Sequence, residues 1–365
     1  MKRYLTLAAS AAIFAAFPLA AQTTAAEKEK KEYPSPPEIV AKAKAEEWLA
    51  IAPSDLLVME LAPDAKSKSR RVVIQLMPAP FSQGWVGNIR KLAAAKWWDG
   101  TSINRVQDNY VVQWGDATET KALPEGLVTV PESEYVADIT ETPIFDPVVH
   151  GHVIQPWATN VSGEGVWSIP IAVSPLNRKK ARIKTSREKE TPKARQYRNE
   201  TYGWPTGFSK GWPVSGNLNA RGFGKTGEIW PVHCYAMVGV GRNLSPDTGT
   251  GAELYTVIGH APRHLDRNIA LVGRVIEGIE HLSSLPRGTG PLGFYEKEEE
   301  RVPIASARLG NEIADLPAFE YLSTESASFA AYADARANRR DAFFIKPAGG
   351  ADICNIPVPV RRKPL

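Results

Sequence analysis

The chain has 365 residues, 43% of them hydrophobic and 23% charged, which is enough for one elaborated domain or two and excludes a wholly disordered chain. Its two cysteines, Cys234 and Cys354, exclude a disulfide framework or a four-cysteine zinc site and leave one bridge at most. The net charge of +4 is local: Arg178–Arg198 carries ten Lys/Arg against Glu188 and Glu190, so the basicity belongs to one solvated segment, with contact to an anionic surface as its second reading.

In chain order, Lys2 and Arg3 precede an apolar run from Tyr4 to Leu19 and small residues at Ala20 and Ala21. This is the pattern of a cleaved secretory signal over 1–21, with a cut nearer Ala25 as the alternative. The run is shorter than the roughly 20 residues a bilayer core needs, and no later stretch predicts a transmembrane segment. Export places the mature chain in a bacterial periplasm, the preferred reading, or outside the cell, where a Cys234–Cys354 bridge can persist and nucleic acid is not an expected partner. Residues 22–54 read as a Lys/Glu/Pro-rich leader and then a short docking helix over Pro37–Ile51. Leu56–Leu61 and Arg71–Leu76 predict a hairpin about the polar turn Pro63–Ser69. Val86, Ile89, Leu92 and Ala93 recur at helical spacing, Asp99-Gly100 stops that helix, and Ile103–Gln113 returns to strand composition.

From 117 to 232 the texture is irregular and turn-rich, with Gly203-Trp204-Pro205 recurring as Gly211-Trp212-Pro213. Strands are expected again at Tyr235–Val240, Leu254–Gly259, Ala270–Val275 and Val302–Leu309, with a helix over Ile276–Leu285. An extension over 314–365 holds a further helix near Ala327–Arg340.

Few constellations suggest chemistry by themselves. Asp247-Thr248-Gly249-Thr250-Gly251 has the composition of an aspartic-protease loop, but there is one copy and no second carboxylate to share its proton, so a turn accounts for it. Gly239-Val240-Gly241 lacks the third glycine of a dinucleotide loop. His150 and His152 share one side of a strand without a third ligand, so neither a metal nor a cofactor is expected.

Order and spacing are informative over Leu76–Asp116. Ala79-Pro80, Val86-Gly87-Asn88-Ile89, Trp98-Asp99-Gly100-Thr101, Ile103-Asn104-Arg105-Val106, Tyr110-Val111-Val112-Gln113 and Gly115-Asp116 follow one another in a pattern that resembles the cyclophilin family of peptidyl-prolyl isomerases. Further on, His264-Leu265-Asp266, Leu271–Gly278 and Val302-Pro303-Ile304 are similar to that family's later motifs. The resemblance implies a mainly β fold over 55–313, a closed antiparallel eight-stranded β-barrel capped by two helices, with 117–232 as a long irregular insertion. It also implies an enzyme that isomerises X-Pro bonds, here in exported polypeptides during periplasmic folding.

By position, the resemblance makes Arg105 the catalytic donor and gives a substrate groove to Tyr110, Val111, Gln113, His264 and Leu265. Two alignments compete in the strand after Ala252: one puts Leu254 and Thr256 in the groove, the other Glu253 and Tyr255. The second is preferred, since Tyr255 supplies an aromatic wall and Glu253 a polar contact. Asn104 stands where the family has His, Trp114 where it has Gly, and Gly239 near a frequent Asn. These departures keep open a catalytically weak module of the same fold that binds proline-containing or extended segments.

Overall fold

The computed structural model describes residues 32–138, 206–217, 227–348 and 350–364. The signal segment, the two histidines at 150 and 152 and the basic run 178–198 lie outside the described residues.

Eight strands close into an antiparallel barrel: β2 (Leu56–Leu61), β3 (Arg70–Leu76), β4 (Ser102–Val106), β5 (Val111–Gly115), β10 (Met237–Val240), β11 (Leu254–Val257), β12 (Leu271–Glu277) and β13 (Val302–Leu309). Around the barrel their order is β10-β11-β5-β4-β13-β2-β3-β12. Alternation along each strand sends Leu57, Met59, Val72, Ile74, Ile103, Val112, Trp114, Leu254 and Val272 into one buried cluster. Helix α2 (Gln83–Ala94) joins that cluster with Trp85, Val86, Ile89, Leu92 and Ala93, a stripe at the spacing its sequence shows. Asn88 fixes the helix to the loops beside it: its amide donates to the carbonyls of Val128 (2.8 Å) and Thr250 (3.1 Å) and its oxygen accepts from Val128 N–H (2.9 Å). The region read as helix over Ile276–Leu285 continues β12 to Glu277 and keeps only a short α3 (Glu280–Ser283).

The described residues of the segment read as an insertion are more regular than their composition suggests. β6 (Ala137–Asp138), β7 (Thr206–Ser209), β8 (Trp212–Asn217) and β9 (Glu228–Pro231) form an antiparallel sheet in the order β6-β9-β8-β7. Lys210 and Gly211, both at positive φ, make its tight β7–β8 turn. Phe208, Trp212, Val214 and Ile229 pack into the same buried cluster as the barrel. Short strands with scattered Pro and Trp carry no clear period, which is why the sequence reads as irregular there.

The two ends of the chain also differ from expectation. The predicted helix over Pro37–Ile51 is α1 (Pro36–Ala41), a single turn at Ala45–Glu47 and then strand β1 (Trp48–Ile51). β1 pairs with β14 (Phe319–Leu322), and β14 with β15 (Val360–Arg362). The partner strand, far away in sequence, overrides local helix propensity. α4 (Ala327–Ala337) sets Phe329 edge-on to Phe208 of the insertion at 4.9 Å, and Cys234 is disulfide-bonded to Cys354. The extension is thus integrated with the barrel.

Candidate active site

Arg105 lies on β4 just past an irregularity in the β4–β5 register, where Ile103 pairs with Trp114 but Arg105 pairs with Gln113. The extra residue, Asn104, lets Ile103 face the core while Arg105 faces outward. The guanidinium is half-buried between two rings, with Cζ 5.8 Å from the Tyr110 centroid and 5.3 Å from that of Phe294. Nε donates to the Leu292 carbonyl (2.8 Å), Nη1 to Oε1 of Gln113 (3.1 Å) and Nη2 to Oε1 of Gln107. Those bonds use three of the five N–H donors, and two have no partner among the described residues. Burial lowers the Arg105 pKa, with Tyr110 opposing the shift, and the group remains a cation at any working pH.

Beside it, Val111, Tyr255 and Val257 are buried in a separate apolar cluster outside the barrel interior, edged by Tyr110, Leu265 and Ile269. Tyr255 pairs directly with Gln113 across β11 and β5. His264 is exposed at the rim, stacked on Tyr110 at 6.3 Å with planes 9° apart. Leu254 and Thr256 face inward, Leu254 into the main core and Thr256 donating to the Met237 carbonyl at 3.2 Å. The groove side therefore carries Tyr255 of β11 and Glu253 just before that strand.

Glu253 has its carboxyl pushed up to about 7 by burial, against hydrogen bonds from Asp116 N–H and the side chains of Gln113 and Asn104. The departures noted in the sequence now have locations. Trp114 is 1% exposed and points into the core opposite Leu254, away from the groove. Asn104 is buried and turned toward Glu253. Gly239 faces Tyr255, and a Cβ there would come within 2.3 Å of the Tyr255 oxygen.

Residues 66–309 match the family described as "Cyclophilin type peptidyl-prolyl cis-trans isomerase/CLD". The chain belongs to the cyclophilin-type peptidyl-prolyl cis-trans isomerases. Among solved structures it is similar to cyclophilin AquaCyp293 from Hirschia baltica at 20% identity and a TM-score of 0.56, over 91% of this chain and 98% of that one. This is a likeness of fold. A cyclophilin type isomerase from Cryptosporidium parvum, solved in the presence of the dipeptide Ala-Pro, is 9% identical with a TM-score of 0.33, over 70% of this chain and 98% of that one. No curated protein matches the chain.

The structure thus gathers Arg105, Tyr110, Val111, Gln113, Glu253, Tyr255, His264 and Leu265 on one face of this cyclophilin. It adds partners that the sequence did not single out. Leu292 and Phe294 come from a Gly/Pro-rich loop that returns to the exposed edge of β4, with Gly288 N–H donating to the Val106 carbonyl (3.0 Å) and Tyr295 N–H to that of Asn104 (3.0 Å). His233 lies behind Tyr255, bonded to Asp266, which the sequence marked only as part of a motif and without this role. Only the Phe294 ring is a signal of the kind that could have been noticed, and nothing local says where the loop folds. Among the described residues no cluster of side chains fits a metal ion, and no helix is long and apolar enough to cross a membrane.

Proposed function

We propose that this cyclophilin isomerises X-Pro bonds of exported polypeptides in the periplasm, with Arg105 as the catalytic donor. The observation that carries this reading is the Arg105 guanidinium, fixed by three acceptors and two rings at the edge of an apolar slot with two donors left over. An X-Pro amide resists rotation because twisting breaks its resonance, at a barrier of about 18–20 kcal/mol. In the twisted state the nitrogen becomes pyramidal and basic, and a donor placed there stabilises that state over the planar one. Val111, Tyr255 and Leu265 receive the pyrrolidine ring, Tyr110 closes the side toward Arg105, and Gln113 holds the guanidinium in place. No covalent step is needed. An acceleration of about 10⁵ corresponds to about 7 kcal/mol, of which one aimed donor supplies roughly 3–4, so the slot must contribute as well.

The export part of the reading is supported by Lys2, Arg3 and the apolar run to Leu19. Exchange NMR on a short X-Pro peptide, with mature protein beside Arg105→Ala, tests the chemistry: acceleration that the variant loses supports the reading, and peptide shifts without acceleration leave a binding module. Fractionation of the source cells with sequencing of the mature N-terminus tests the location, and full-length protein in the cytoplasm would refute it.

A further inference from the structure

The Tyr255 ring is a wall of the slot, but its hydroxyl points elsewhere. It crosses Gly239 and meets Nε2 of His233 at 2.8 Å, the two rings lying 9° apart. The His233 side chain is 1% exposed. Its Nδ1 is 2.9 Å from Oδ1 of Asp266, which also accepts the His233 backbone N–H at 3.0 Å. Oδ2 of Asp266 accepts Nε of Arg263 at 2.6 Å.

The proton positions follow from this geometry. Burial alone would raise the Asp266 pKa, yet His233 and Arg263 hold it below the ordinary value, so it is a carboxylate and can only accept. Burial lowers the His233 pKa, so the imidazole is neutral. Nδ1 then carries the proton, Nε2 is the acceptor, and Tyr255 O–H donates to it. Burial raises the Tyr255 pKa well above its ordinary value, so the phenol keeps its proton.

We propose that His233 and Asp266 are positioning residues of the proline slot, fixing the depth and tilt of the Tyr255 ring through its hydroxyl. The proposal rests on the slot as read above. The neighbours of Tyr255 in its own cluster, Val111 and Val257, are aliphatic and set no direction, whereas the hydrogen bond does. His233 is itself held from both sides, by Asp266 and by the next residue, Cys234, bonded to Cys354. A bare aromatic wall needs no polar anchor, so a buried chain of four groups ending on its hydroxyl calls for a function.

The experiment uses the full mature chain with His233→Leu, which removes the acceptor, His233→Gln, which restores one near the Nε2 position, Tyr255→Phe, and the His233→Leu/Tyr255→Phe double variant. For each, kcat/KM on an X-Pro peptide, peptide affinity by NMR titration and thermal midpoint are measured. His233→Leu is expected to lower kcat/KM roughly tenfold, the effect of one hydrogen bond in a buried site. His233→Gln should regain most of that loss, and in the Tyr255→Phe background His233→Leu should cost no further activity. Two results overturn the proposal: a lower thermal midpoint with kcat/KM unchanged, or an equal loss of activity with and without the Tyr255 hydroxyl. If the wild type binds peptide without isomerising it, the catalytic reading fails alone, and peptide affinity judges the positioning role by the same comparisons. If it neither binds nor isomerises, both fall.

Discussion

Arg105 and Arg274 each lie between two aromatic rings and each donate to a glutamine carbonyl and a backbone carbonyl, yet one borders a groove and the other is sealed. Arg274, on β12, has its Cζ 4.5 Å from the Trp212 centroid and 5.8 Å from that of Tyr321. It donates from Nε to Gln75 (2.9 Å) and from Nη1 to the Gly211 carbonyl (2.8 Å). Barrel, insertion and terminal sheet therefore meet on one guanidinium. Burial pushes its pKa down to about 10, and its Nη2 has no hydrogen-bond partner among the described residues. The same side chain with the same kinds of neighbours serves as a joint where solvent is excluded and, in the function proposed above, would serve as a donor at the groove. Access, more than the set of contacts, separates the two roles.

Variants can break this comparison. Arg105→Ala should cut turnover roughly 10²–10³-fold, about 3–4 kcal/mol, while the thermal midpoint hardly moves; full activity in the variant would remove Arg105 from the chemistry. Arg274→Ala should do the reverse, costing about 3 kcal/mol of stability through the cavity it leaves with the activity of the folded fraction preserved. Arg274→Met should recover much of that, since it fills the space without an unpaired buried donor; urea titrations would show whether it does.

A smaller effect is expected from Glu253. Its carboxyl titrates at about 7 in the fold, above the ordinary value, so the folded state binds more protons than the unfolded one between roughly pH 4.5 and 7. Its contribution is fully present below that window and is lost as pH rises through 7. Melting curves from pH 5 to 8 should therefore fall more steeply for the wild type than for Glu253→Gln, and parallel curves would contradict the buried carboxyl. Last, Phe294→Ala removes one ring from Arg105 and should lower kcat/KM about two- to fivefold, the effect of a partly exposed cation–π contact worth about 0.5–1 kcal/mol.

Much of the barrel was legible because its signals are short-range. Helix α2 shows its stripe, β2 and β3 alternate about a polar turn, and Arg105, Gln113 and Asp116 keep a fixed spacing along one hairpin. The choice between Glu253 with Tyr255 and Leu254 with Thr256 could not be made locally, since alternation permits either pair; it is settled in space by the β5 register. The second layer of the groove was illegible for a related reason. Phe294 reaches Arg105 from a loop without periodicity, and His233 sits at the end of a segment that reads as insertion, so neither declares its neighbour. Trp48–Ile51 misleads outright, because its partner strand is supplied by the other end of the chain.

That last pairing has a consequence for how the molecule is made. A ribosome delivers Trp48–Ile51 early, and nothing can pair with it as β1 until Phe319–Leu322 has emerged. Contacts so distant in the chain form slowly, and until they do the edge of β1 can recruit a foreign strand. Cys234 waits in the same way for Cys354. Between the emergence of Cys234 and that of Phe319 the growing chain would therefore carry an open sheet edge and a lone thiol together.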